Sequence, residues 1–169
     1  GKHIYTTDEK VTLEESLIKL MKKKKLTLTC AESCTGGAIS ARLVNVPGAS
    51  DVLKQGLVTY SNKAKRRYLG VKKTTLKAVG AVSRETAWEM AKGGCFQTGT
   101  DACIAVTGIA GPGGGTDEKP VGLVYIGCCV GGHVKVKEYH FSGNRAKIRE
   151  QSVVAALTLL RSCILKHKC

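Results

Sequence analysis

Aromatic residues are scarce in this chain: two phenylalanines, one tryptophan and five tyrosines among 169 residues. Proteins that hold single-stranded nucleic acid stack its bases on successive aromatic rings, and no such ladder can be drawn here. Long apolar runs are missing too. None approaches the roughly 20 residues that a membrane-crossing helix needs. The opening Gly1-Lys-His-Ile-Tyr-Thr-Thr7 has no apolar core of the kind that marks a secretory signal. A cytoplasmic protein without membrane attachment is therefore expected. Acidic side chains are few, 13 against 27 lysines and arginines, which leaves a net charge of +14. That excess fits nucleic acid, an anionic membrane surface or phosphorylated small molecules as partners. Its densest run, Lys22 to Lys25, falls at the carboxyl end of an expected helix, where cations are favourable against the macrodipole. Much of the rest reads as a solvated face.

Cysteine is abundant, but the spacings that give it a role are missing. The eight cysteines, at 30, 34, 95, 103, 128, 129, 163 and 169, form no C-x-x-C pair, and the four histidines are scattered. No metal site is expected, nor any cofactor. Several cysteines lie inside apolar segments such as Ala102-Cys-Ile-Ala-Val106, where they read as small core side chains in a reducing compartment. With 43% apolar and 24% charged residues, the chain has the balance of an ordinary globular protein, and residues 1–169 are expected to form one domain.

Thr12-Leu-Glu-Glu15 is a capping-box pattern followed by an apolar stripe, Leu13, Leu17, Leu20 and Met21. Strands are expected at Leu26–Ala31, Gly56–Tyr60 and Ala102–Thr107, and helices at Thr35–Val44, Lys63–Leu69 (capped by Ser61-Asn62) and after Ser83. Gly131-Gly132 between Val121–Val130 and His133–Phe141 is a hairpin signal. Ile148, Val153, Ala156, Leu157, Leu160 and Ile164 share one face of a long last helix. Helices alternating with strands predict a three-layer α/β/α sandwich whose sheet is mixed, mostly parallel, with one antiparallel hairpin.

In open α/β sheets ligands gather beyond the carboxyl ends of the strands. Three polar clusters are expected there: Glu32-Ser-Cys-Thr35, Tyr60-Ser-Asn-Lys-Ala-Lys65 and Thr107 with the glycine-rich loop behind it. A serine on a strand-to-helix turn is placed for nucleophilic attack, with following amides as oxyanion donors; Ser33 or Thr35 equally fits a plain helix cap. No histidine lies in these clusters. Lysine is the alternative base once burial or neighbouring cations lower its pKa, and Lys65 has Lys63, Arg66 and Arg67 as neighbours that push in that direction; the same residues fit a solvated helix face. The glycines of 108–115 suit a phosphate nest or a surface turn. Arg145 and Arg149, one helical turn apart, are spaced to converge on one anion.

Taken in order, Ala31-Glu-Ser-Cys-Thr-Gly-Gly37, Tyr60-Ser-Asn62 with Lys65, Ala81-Val-Ser83, Val106-Thr-Gly-Ile-Ala-Gly-Pro-Gly-Gly-Gly115 and Glu118-Lys-Pro-Val-Gly122 resemble the CinA carboxy-terminal domain family, also known as nicotinamide-nucleotide amidohydrolase or NMN deamidase. The resemblance runs from about residue 11 to 165. It implies hydrolysis of the carboxamide of nicotinamide mononucleotide to nicotinic acid mononucleotide and ammonia. By the same resemblance Ser33 is the nucleophile and Lys65 its base. Thr35 and Tyr60 complete the catalytic set, and Gly36, Thr107, Gly111, Gly113, Gly114 and Arg145 bind substrate. It further implies a homo-oligomer, a dimer or higher, and no metal or organic cofactor. Lys63 stands where relatives commonly carry an acid, and nothing resembles the amino-terminal domain many of them possess, so a stand-alone form is expected. Two other functions remain in view: a catalytically silent nucleotide-binding module and a basic nucleic-acid-binding protein, the latter disfavoured by the lack of a binding motif.

Overall fold

The Thr12 side chain accepts a hydrogen bond from the Glu15 amide, as the capping box predicts, and starts α1 (Leu13–Lys24). The helix closes on Lys25, whose left-handed backbone (φ 58°) lets its amide reach back to the Lys22 and Met21 carbonyls. This computed structural model describes residues 11–168. After α1 come β1 (Leu28–Glu32), α2 (Ala38–Val44), a short 3-10 turn (Ala49–Asp51), β2 (Leu53–Val58), α3 (Asn62–Leu69), α4 (Lys73–Val79) and α5 (Arg84–Thr98). The chain ends in β3 (Ala102–Gly108), β4 (Leu123–Val130), β5 (His133–His140) and α6 (Arg145–Lys166). None of the described helices is long and apolar enough to cross a membrane.

The five strands form one sheet in the order β2-β1-β3-β4-β5. The β1 strand is parallel to both β2 and β3, while β4 runs antiparallel to β3 and to β5. Four strands thus point one way and only β4 opposes them, as expected of a mostly parallel sheet with one hairpin. Helices α1, α2 and α6 pack on one face; α3, α4 and α5 cover the other.

The two faces are built differently. Leu28, Cys30, Ile104, Val106, Val124 and Ile126 meet the stripes of α1 and α6 in the larger core. The opposite face carries Ala31, Cys103, Ala105, Gly127 and Cys129, all small, so α5 lies close to the strands. A β-carbon on Gly127 would stand 2.6 Å from the Ala87 carbonyl oxygen, and one on Gly94 2.3 Å from the Cys103 sulfur. Cysteine here is a compact apolar filler, as expected of most of the eight. Cys30, Cys34, Cys103, Cys128 and Cys129 are buried, Cys95 and Cys163 half-buried, and Cys169 lies outside the described residues.

Some element boundaries differ from expectation for identifiable reasons. The β2 strand starts at Leu53 and stops at Val58, so Tyr60 lies beyond its end. The α2 helix begins at Ala38, because Gly36 and Gly37 take left-handed φ values of 59° and 98°. The α4 helix was not expected at all: it buries no residue and has no side-chain cap, so it leaves no apolar period to read.

Candidate active site

The β1 strand ends in Glu32, paired with Val58 of β2 and Val106 of β3. The Ser33 amide still donates to the Val106 carbonyl (3.0 Å), which pins the residue to the sheet edge before the chain turns away. Gly36 donates to the Ser33 carbonyl (3.0 Å) to close the turn. Its left-handed φ favours glycine, since other L-residues pay a steric cost there.

The Ser61 side chain accepts the Ala64 amide and starts α3. One helical turn inward, Lys65 and Leu69 form the buried edge of this helix while Lys63, Arg66 and Arg67 face solvent. Lys65 is only 2% exposed. Its Nζ donates to Ser33 Oγ (3.0 Å) and to the Thr59 carbonyl (2.8 Å). Burial pushes its pKa from the ordinary lysine value down to about 8, opposed by the nearby Cys34 thiol. Of the two causes expected from sequence, burial is the one at work; the charges of Lys63, Arg66 and Arg67 point into water, which screens them. A lysine near 8 is partly neutral at physiological pH, and its lone pair can then accept the serine proton.

Neither Ser33 nor Thr35 caps α2. That work falls to Glu32, which sequence reasoning passed over. Its fully buried carboxylate accepts the Ile39 amide (2.9 Å), the Ser40 amide (3.1 Å), the Ser40 hydroxyl (2.8 Å) and the Thr35 hydroxyl (2.7 Å). A signal was present: Gly36 and Gly37, just before α2, have no side chain to cap with, and Glu32 is the nearest carboxylate upstream. The hydroxyl of Thr35, expected among the catalytic groups, is thereby turned toward Glu32, and neither Thr35 nor Gly36 lines the cavity.

The cavity beside Ser33 and Lys65 has a volume of about 270 Å³. Tyr60, Thr107, Gly111, Gly113, Gly114 and Arg145 all line it, with Cys34, Asn62, Ala81 and Val82 as further walls. Thr107 donates to the Ala81 carbonyl (2.8 Å), tying the end of β3 to the loop before α5. From the start of α6, Arg145 donates to the Gly111 carbonyl (2.7 Å) and to the Tyr60 hydroxyl (3.0 Å), bridging the rim. Arg149 does not join it on a common anion, contrary to the helical-spacing expectation. Its guanidinium donates to the Cys34 and Thr35 carbonyls (3.0 and 2.9 Å), so it braces the Ser33 turn. The Cys34 thiol is pushed up to about 11, chiefly by burial, and is a poor nucleophile beside Ser33. Among the described residues no cluster of three or more histidine, cysteine or acidic side chains is placed to hold a metal ion.

A hydroxyl and a buried, low-pKa amine in hydrogen-bond contact, opening on a cavity with a guanidinium at its rim, are suited to nucleophilic attack on an uncharged carbonyl of an anionic molecule.

Residues 10–164 match the CinA C-terminal domain. A Clostridium novyi protein named as competence-damage inducible is 52% identical over 166 residues, and a CinA-like protein of Kosmotoga olearia 50% identical over 165. Each alignment covers 98% of this chain but only 40% of the relative, so the chain spans well under half the length of these proteins. Among solved structures, the competence/damage inducible protein CihA of Agrobacterium tumefaciens superposes with a TM-score of 0.88 at 42% identity, covering 91% of this chain and 94% of that one.

Proposed function

The chain belongs to the CinA C-terminal domain family, and on that premise we propose that it is an amidohydrolase that converts nicotinamide mononucleotide to nicotinic acid mononucleotide and ammonia. The observation that carries this reading is the 3.0 Å contact between Lys65 Nζ and Ser33 Oγ, made by a lysine whose burial holds it near a pKa of 8. Neutral Lys65 takes the serine proton as Oγ attacks the amide carbon. The amides of Cys34 and Thr35 follow in the turn and donate to no backbone carbonyl among the described residues, which leaves them for the oxyanion. Removing one such donor typically costs about 100- to 1000-fold in rate. Lys65, now charged, returns the proton to the departing nitrogen, and ammonia leaves an acyl-serine. Water activated by the same amine then releases the acid.

The nucleotide is the favoured amide because the cavity rim combines Arg145 with the glycine loop. Arg145 uses two of its five N–H groups on Tyr60 and Gly111 and keeps others for a phosphate. The decisive measurement is ammonia release from nicotinamide mononucleotide by the purified chain and by Ser33→Ala. Turnover by the parent and none by a folded Ser33→Ala is expected. A parent that binds the nucleotide without releasing ammonia would reduce the protein to a binding module.

A further inference from the structure

The β4 strand carries two consecutive cysteines whose side chains leave opposite faces of the sheet. Cys129 turns toward α5, and the Cys95 thiol of that helix donates to the Cys129 carbonyl (3.9 Å). Cys128 turns toward α6, where Cys163 packs against the same core. The second pair opens on a cavity of about 530 Å³ between the β4–β5 hairpin and the end of α6. His133, Lys135, Lys166 and Lys168 line it together with the two cysteines, and no acidic side chain does among the described residues. Lys135 stands directly across the ladder from Cys128, so the two side chains share this face.

We propose that this cavity is a thiol-exchange site, in which Cys163 reacts with an anionic small-molecule disulfide and Cys128 resolves the product into a Cys128–Cys163 bond. The two thiols differ in the way such a reaction requires. Cys163 is half-buried and reachable from the cavity, and its thiol is lowered, first by its interaction with Cys128 and then by Lys135, Lys166 and Lys137, against the effect of burial. Cys128 is 1% exposed, and the same interaction together with burial pushes its thiol up. Cys163 is thus the attacking thiolate and Cys128 the protonated partner beneath it. The Cys163 sulfur attacks one sulfur of the small disulfide, whose S–S bond breaks; the released thiolate takes a proton from water. Cys128 then gives its proton to solvent and attacks the Cys163 sulfur, expelling the second thiolate. Two electrons pass from the protein pair to the disulfide, which leaves as two thiols. The basic lining selects the reagent, because it concentrates anions and repels cations. The cavity lies at the other end of α6 from Arg145, about 27 Å along the helix at 1.5 Å per residue, and the proposal is independent of the amidase reading.

The test treats the intact chain at pH 7 and low salt with glutathione disulfide, which is anionic, and in parallel with cystamine, a cationic disulfide. Non-reducing fragmentation mass spectrometry then locates the bonds. A Cys128–Cys163 bond is expected, formed about tenfold or more faster from glutathione disulfide, with the gap narrowing in high salt. Cys128→Ser should accumulate glutathione on Cys163, and Lys135→Glu should narrow the charge preference. A bond from Cys163 to any other cysteine, modification confined to Cys95 or Cys169, or equal rates for both disulfides would each overturn the proposal. The mapping and the rate comparison use the unaltered chain, so the result stands even where a variant folds poorly.

Discussion

Replacing Lys65 with methionine removes an amine and keeps a side chain of similar length, which separates what the charge does for chemistry from what it costs the fold. In the folded chain the amine titrates near 8; in the unfolded chain it titrates near 10.4. Below pH 8 both states hold the proton and the protein bears the whole burial penalty. Between the two values the unfolded state binds more protons, so stability rises with pH. A group with a depressed folded pKa contributes its full stability above the unfolded pKa and loses it as pH falls through the folded one. At about 1.36 kcal/mol per pKa unit, the parent should gain about 2 to 3 kcal/mol between pH 7 and pH 10, a gain Lys65→Met cannot show. Urea denaturation followed by circular dichroism at several pH values reads the difference between the two proteins, which cancels the other titrating groups. At pH 7 the variant sheds the penalty but loses charge-assisted hydrogen bonds to Ser33 and the Thr59 carbonyl, worth about 1.5–3 kcal/mol each; it should be less stable than the parent, by up to a few kcal/mol, and the gap should widen toward pH 10. It should also release no ammonia, whereas the parent's kcat/KM should rise about tenfold per pH unit up to about pH 8 and then level. A stability difference flat from pH 7 to pH 10 would refute the argument that burial is what lowers this amine.

Gly93→Ala should destabilise the protein although alanine is the better helix former by about 1 kcal/mol: the new β-carbon would lie 1.7 Å from the Leu69 carbonyl oxygen, and overpacking of this kind costs about 1–3 kcal/mol or more, read as a lowered urea midpoint. Glu32→Gln should cost on the order of 3 kcal/mol, because a neutral amide replaces a carboxylate that accepts four hydrogen bonds; a change within about 0.5 kcal/mol, the usual surface value, would deny Glu32 its role at the turn. Arg145→Ala should lower kcat/KM on nicotinamide mononucleotide by on the order of 10- to 100-fold more than on the dephosphorylated riboside; equal losses on both would place the phosphate elsewhere.

The layer order and the hairpin were legible because they rest on periodicity, and Gly131-Gly132 or the α6 stripe is a local pattern. Ser33, Lys65, Tyr60, Thr107 and Arg145 were legible as motif residues, and the fold brings them to one cavity. What distance along the chain conceals is partnership. Arg149 at the right spacing from Arg145 looked like a second anion ligand, yet helix α6 aims it at two carbonyls of the Ser33 turn. Which of two expected causes lowers Lys65 was hidden for the same reason: its charged neighbours are adjacent in sequence, whereas its burial is made by parts of the chain distant from it. Helix α4 left no trace because an element that buries nothing writes no pattern.

The brace that Arg149 supplies to the Ser33 turn has a consequence for the chain as it is made. The residue that holds the Thr35 carbonyl lies 114 positions later. At a synthesis rate of about 5–20 residues per second, roughly 6 to 23 seconds separate the appearance of the turn from that of its brace. Lys65 follows Thr35 by 30 residues, so for the last 84 residues of that interval Ser33 and Lys65 both exist while the guanidinium that steadies the turn is not yet polymerised. A nascent chain therefore carries its two reactive side chains early and acquires their final alignment only when the last helix docks.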